Sequence, residues 1–406
     1  MSHHGPDLSS LTAEKLALPA GHGWNKIPAI GAVLGLLGLG AAFGLGMSHR
    51  HDLFPSYLVA FLFWLSLGLG GLFFVLVQYA ARAGWSVVVR RIAELLMSTL
   101  PLFIVLFIPI AIGLHDLYHW SHPEAVAHDE LLKHKAPYLN PTFFFIRAGV
   151  FLGAWALLAR YYWKRTTTQD KTGDKELTRR MQVMSGPAIA IFGVTVSYAA
   201  IDWIMTRDPH WFSTMFGVYY FAGSIVTTYS TMALIAMAMR KAKVPGSELI
   251  TTEHFHDLGK LMFAFTVFWA YIAFSQYMLI WYANLPEETV WFAYRWDGTW
   301  KYLSILLGVG HFVVPFFFLL PRTIKRTRGA LFLAAIWIIC MQAADLYWLV
   351  MPVFHKAGPH VTLIDVAAFV GVGGLFVGLI GWRMKKVPLV PVKDPRLAES
   401  VSFENF

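Results

Sequence analysis

Ten apolar segments, each long enough to cross a lipid bilayer, run through this chain of 406 residues, and basic residues concentrate in every second connection between them. A hydrocarbon core about 30 Å thick takes roughly 20 apolar residues per helix. The segments read as spans at 27–47, 53–77, 94–114, 141–163, 187–205, 216–239, 258–283, 302–320, 330–351 and 363–382. Lipid cannot satisfy an open strand edge, and no short period-two pattern marks a barrel, so the chain is predicted to be an all-α integral membrane protein. Composition agrees: 57% of residues are hydrophobic and 14% charged, well away from the balance of a soluble domain.

Charge provides an independent check on the number of spans. The N-terminal segment, the connections after spans two, four, six and eight, and the C-terminal tail hold 23 of the 33 Lys and Arg; the other five connections hold seven. Arg147, Arg160 and Lys260 fall inside spans. A miscounted helix would scramble this alternation. By the positive-inside rule both termini of this multi-pass inner-membrane protein are expected in the cytoplasm. The division is then a cytoplasmic segment 1–26, a transmembrane domain 27–382 and a cytoplasmic tail 383–406, the tail extended by Pro388, Pro391 and Pro395. A net charge of +9 fits anionic lipid headgroups and calls for no nucleic acid.

Smaller features fit this reading. A polar stretch with His3, His4, Asp7 and Glu14 precedes span one and no small-residue cleavage site follows it, so no cleaved signal peptide is expected. Gly31-x-x-x-Gly35, Gly40-x-x-x-Gly44 and Gly374-x-x-x-Gly378 read as helix-packing faces. The charged stretch Lys164–Arg180 is predicted to divide two groups of helices. The lone cysteine, Cys340 in span nine, reads as a small core residue. One cysteine cannot hold an iron–sulfur cluster or a c-type haem, and His311, the only histidine deep in a span, has no evident partner for haem b. Any redox metal would belong to another chain.

Ionisable groups inside spans cost at least about 2.5 kcal/mol on insertion scales and so point to function. Asp116 ends span three, Asp202 lies near the end of span five, and Asp345 is in the outer half of span nine; all three spans run outward, placing the acids in the periplasmic half. Asp202 and Asp345 each follow two nearby alanines and precede a tryptophan, four spans apart. This suggests a parallel repeat of two four-helix bundles, spans 3–6 and 7–10, with two peripheral helices, spans one and two, at the side.

A quinol gives up two protons with its two electrons, and burial moves an Asp into the range useful for accepting them. His115 and His119, one helical turn apart beside Asp116, read as an outer proton exit. Arg147, Tyr198, Ser197, Gln276, Ser275, Gln342 and His311 extend the path or a quinone site, and Glu94, Asp257 and Lys260 mark a cytoplasmic entrance. Against this, Asp116, His119 and Trp120 suit the headgroup region, Asp202 can pair with Arg147 or Arg207, and His311 can be a core histidine. No residue has the signature of a catalytic nucleophile. The histidine-rich loop 115–140 has no compact metal motif and reads instead as a docking surface for a periplasmic partner.

Three longer stretches carry a family likeness. Ala199-Ala-Ile-Asp-Trp-Ile-Met-Thr-Arg-Asp-Pro-His-Trp-Phe-Ser-Thr-Met-Phe-Gly217, His256-Asp-Leu-Gly-Lys-Leu-Met-Phe263 and Phe274-Ser-Gln-Tyr-Met-Leu-Ile-Trp-Tyr-Ala-Asn-Leu-Pro-Glu-Glu288 resemble signatures of the F subunit (ActF-type) of bacterial alternative complex III, in the NrfD/polysulfide-reductase membrane-subunit family. The resemblance implies ten helices in two four-helix bundles plus two. It implies a respiratory complex that oxidises menaquinol and passes electrons to cytochrome c or a terminal oxidase. The complex's haems c and iron–sulfur clusters would sit in periplasmic partner subunits, and a homologous NrfD-like membrane subunit would hold the better-supported quinol site. This chain is then expected to conduct protons, with a quinone pocket as a second role and no turnover alone. Only Asp202 is carried over by its signature. The alternatives are an independent proton-coupled transporter and a purely structural scaffold.

Overall fold

The computed structural model describes residues 11–405; His3, His4 and Asp7, with the first part of the N-terminal segment, and Phe406 lie outside the described residues. Among the described residues there is no strand, and ten helices are long and apolar enough to cross a membrane. They are α1 (Gly23–Gly46), α2 (Arg50–Ala80), α3 (Val87–Ile112), α4 (Pro141–Thr172), α5 (Lys175–Arg207), α6 (Phe216–Lys241), α7 (Thr252–Ala283), α8 (Trp300–Leu319), α9 (Arg328–Val353) and α10 (Leu363–Met384). An even number of crossings returns both ends of the chain to one face, the terminal face.

The helices associate differently from the grouping expected of the sequence. The most buried is α2, 89% inside the protein against 28% for α1, and it packs on α3, α5, α6, α9 and α10. Helices α2–α5 form one four-helix bundle, α6–α9 the other, and α1 pairs with α10 on the flank. Each bundle therefore starts one helix earlier than expected, and α10 rather than α2 is peripheral. Glycine explains the pairing. A Cβ on Gly31 would stand 2.5 Å from the Gly378 Cα, and one on Gly374 would stand 2.4 Å from the Gly35 nitrogen. Two helices approach that closely only where neither carries a side chain. Gly40 and Gly44, by contrast, face open space, so the third glycine motif makes no such contact.

Other expectations need local correction. Lys164–Arg180 is not a divider: α4 runs on to Thr172, Gly173 turns with φ +72°, and Asp174 caps α5 by accepting the Glu176 N–H at 2.9 Å. The bundles part instead between α5 and α6. Cys340 is exposed on the outer surface of the bundle rather than in the core. Helix α3 is interrupted after Met97, where Pro101 precedes the short segment Leu102–Leu106 and Pro109 lies in the first turn of Ile108–Ile112.

The tail is packed against the bundle rather than extended along its surface. Leu389 and Val390 are fully buried, and the Leu389 N–H donates to the Leu16 carbonyl at 3.0 Å. Arg90 reaches Asp394 and Glu94, Arg91 reaches Glu94 (2.7 Å) and Asp170, and the Thr166 hydroxyl donates to Glu94 at 3.1 Å. Ser400 in the short helix Leu397–Val401 donates to the Trp85 carbonyl at 2.5 Å. Each buried charge has an opposite partner, which is the condition under which such a cluster is tolerated.

Candidate functional site

Asp202, on the last helix of the first bundle, is inaccessible to solvent and closed into a cluster. It accepts from Arg147 Nε at 2.5 Å and from the Tyr138 hydroxyl at 2.8 Å. Arg147 also donates to the Tyr138 carbonyl at 2.8 Å and lies over the Tyr138 and Phe143 rings, 3.8 and 4.4 Å from their centres. Burial, and then the charge of Asp202, holds the Tyr138 hydroxyl above the usual phenol range, so it remains a proton donor. Of the two arginines that the sequence offers Asp202, only Arg147 takes the role. Arg207 instead donates to the carbonyls of Leu349 (2.7 Å) and Val350 at the end of α9, a favourable place for a cation.

Asp345, on the last helix of the second bundle, is equally inaccessible, but its hydrogen bonds come from neutral groups. The Tyr219 hydroxyl of α6 donates at 2.5 Å and Gln342 Nε2 at 3.5 Å. Beside it, Arg295 lies 3.4 Å from the centre of the Trp291 ring and 4.9 Å from that of Trp348. It donates to the carbonyls of Trp291 (2.8 Å) and Leu349 (3.1 Å). Burial, and then the neighbouring Arg207, pushes the Arg295 guanidinium well below its usual range, while Asp208, Tyr219 and Asp345 oppose the shift.

Tyr219 also forms part of the wall of a cavity of about 310 Å³ between α7, α8 and the hairpin helix Pro286–Trp296. Trp269, Phe274, Phe312 and Trp348 supply aromatic walls, and Gln276, Tyr277 and Ser304 add further polar groups. Its rim includes Phe274 and Trp296, 62% and 48% exposed on the side of the bundle, so it opens laterally. The volume is within the range of small-molecule sites, about 300–1,000 Å³. Gln276 continues the polar line: it accepts from the Ser213 hydroxyl at 2.8 Å, and both line a smaller cavity of about 170 Å³ with Glu288, at the face opposite the termini.

His311 lies in a π-helical segment of α8, Leu307–Val313, fully buried, with neither ring nitrogen hydrogen-bonded. Its ring stands 3.9 Å from that of Trp269, while its neighbours Leu307, Gly308 and Phe312 line the cavity. Such segments recur at functional sites. The remaining sequence candidates stand elsewhere. Asp116 is paired at the surface with Arg50 at 2.8 Å, and His115 bonds Ser121 at 3.0 Å. His115 and His119 are not on one helical face, because Tyr118 between them is extended (φ −126°, ψ 110°). Tyr198 is 47% exposed and is not among the hydrogen-bond donors to Asp202, which are Arg147 and Tyr138. Glu94 belongs to the sealed arginine cluster, while Asp257 pairs with Lys260, whose half-exposed side chain donates to Asn405 of the tail at 2.8 Å; the three are not brought together into one entrance.

Sequence reasoning missed Tyr219, Arg295 and the cavity, whose partners come together only through helix packing. The run Trp291, Trp296, Trp300 did signal aromatic density there. No protein-family model and no curated protein matches this chain.

Proposed function

We propose that this chain is an integral membrane subunit of a quinol:electron-acceptor oxidoreductase of the alternative complex III type, offering a lateral quinone pocket and a proton path through its second bundle. One observation carries the reading: a buried carboxylate, Asp345, is joined by a single tyrosine hydroxyl to an aromatic cavity open to the side of the bundle. A flat lipid-soluble quinol enters from the bilayer, stacks among Trp269, Phe312 and Trp348, and places a hydroxyl toward Tyr219. As it yields two electrons to an iron–sulfur centre in a partner subunit, it releases two protons: one passes to Tyr219 while the tyrosine's own proton passes to Asp345, and the other leaves past Gln276 and Ser213 toward Glu288. Gln276, Ser213 and Glu288 lead onward to the opposite face, which this reading makes periplasmic, with both termini in the cytoplasm of a bacterial inner membrane. Menaquinone is the quinone the family resemblance implies. Periplasmic multihaem cytochrome c chains, a homologous membrane subunit and a terminal oxidase are the partners it implies.

The transporter alternative gains no support. Repeat-built transporters break corresponding helices in their two halves, whereas the interruptions here are in α3 and α8, the second helix of one bundle and the third of the other. Asp345→Asn keeps the shape of the side chain and removes its acidity. In native membranes the variant is expected to assemble with its iron–sulfur and cytochrome partners, with quinol oxidation reduced about 100-fold. Full turnover in the assembled variant would overturn the proton role; a colourless chain purifying alone would overturn the subunit reading.

A further inference from the structure

On the face opposite the termini, the first turn of α2 meets the segment after α9. Asp52 Oδ1 lies 3.3 Å from Nε2 of His355 and 3.8 Å from Nδ1 of His51. One ligand-type atom from each of the three residues lies within 4.8 Å of both others, and the two imidazoles meet edge to face with centres 5.6 Å apart. His360 is next in line, its ring 5.9 Å from that of His355. We propose that His51, Asp52 and His355 form a binding site for a divalent transition-metal ion, with Zn²⁺ the best match.

The geometry is close to what zinc requires. Ligand atoms bound at about 2.0–2.1 Å in a tetrahedral array stand roughly 3.3 Å from one another. The Asp52–His355 pair already has that separation. His51, whose side chain is 65% exposed, is free to close the small remaining gap by rotating. Two imidazoles and one carboxylate favour zinc or copper over calcium and magnesium, which prefer all-oxygen sets. Three protein ligands leave a fourth position for water or for His360. Arg50, the adjacent cation, is turned to Asp116. A carboxylate at a helix N-terminus is favourable by itself, but that explains Asp52 without explaining two converging imidazoles from separate segments. Occupied, the site ties the α1–α2 turn to the α9–α10 connection and so fastens the peripheral α1/α10 pair to both bundles.

The test uses the tag-free full chain in detergent, dialysed against chelator and titrated with Zn²⁺ and Co²⁺. The expected result is one high-affinity Zn²⁺ per chain and a Co²⁺ visible spectrum of four-coordinate intensity. His51→Ala, Asp52→Asn and His355→Ala should each weaken binding at least about tenfold, while the His119→Ala/His122→Ala variant binds as the wild type does. His51→Ala removes an exposed side chain and so reports on the site without disturbing the fold. A wild-type chain that takes up no zinc, or three variants that bind it as tightly as the wild type, would overturn the proposal.

Discussion

A carboxylate enclosed among helices needs donors, and Asp202 and Asp345 find them differently although each is on the last helix of its bundle. Asp202 has a guanidinium at 2.5 Å, Asp345 only neutral donors. Asp202 is thus fixed in an ion pair, whereas Asp345 takes its hydrogen bond from a hydroxyl that also lines the cavity. Removing one member of a buried pair leaves the other uncompensated, at a cost of about 3–5 kcal/mol. Asp202→Asn and Arg147→Met should therefore each destabilise the first bundle by about that amount, and the double variant by clearly less than their sum. Thermal unfolding in detergent reads this, and strict additivity would contradict the pairing. The sequence singled out both acids because carboxylates are rare in apolar spans. It could not choose Arg147 over Arg207, or find Tyr219, because those choices depend on the relative rotation and height of neighbouring helices.

At the scale of elements, glycine placement decides which helices touch. Spans were legible from hydropathy to within a few residues at most ends, and glycine spacing identified the α1 and α10 faces, yet the same spacing at Gly40 and Gly44 meets nothing. Small residues permit contact; only a partner's matching surface realises it. Gly374→Leu places a branched side chain where the Gly35 backbone stands 2.4 Å from a mere Cβ. Overpacking of this kind costs typically about 1–3 kcal/mol, here concentrated on one pair of helices. Cross-linking between cysteines introduced on α1 and α10 should fall sharply, while the bundle around Asp345 keeps its thermal transition. Unchanged cross-linking would show that the pair is held by something other than glycine. The histidine loop shows the opposite limit: His115 and His119 have helical spacing, but an extended residue between them separates the two.

For the molecule as a whole, charge alternation gave the number of crossings, but the grouping into bundles was one helix out. Hydropathy cannot rank burial among helices that are all apolar, and α2, at 89% buried, differs from α1 in what surrounds it far more than in hydropathy. The tail was misread for a related reason: its prolines suggest an extended strap, while the pairing of Asp394 with Arg90 is a contact across the whole chain. The central claim is that the second bundle holds a lateral quinone pocket served by Asp345, and filling that pocket tests it most directly. A Cβ on Gly308 would meet nothing within 4 Å, and this residue lines the cavity, so Gly308→Phe fills space without displacing the fold. Menaquinone titrated into the purified subunit should quench tryptophan emission, since Trp269, Trp296 and Trp348 surround the site. The account predicts saturable quenching that Gly308→Phe abolishes and Asp345→Asn retains; quenching that survives Gly308→Phe at the wild-type affinity would contradict it.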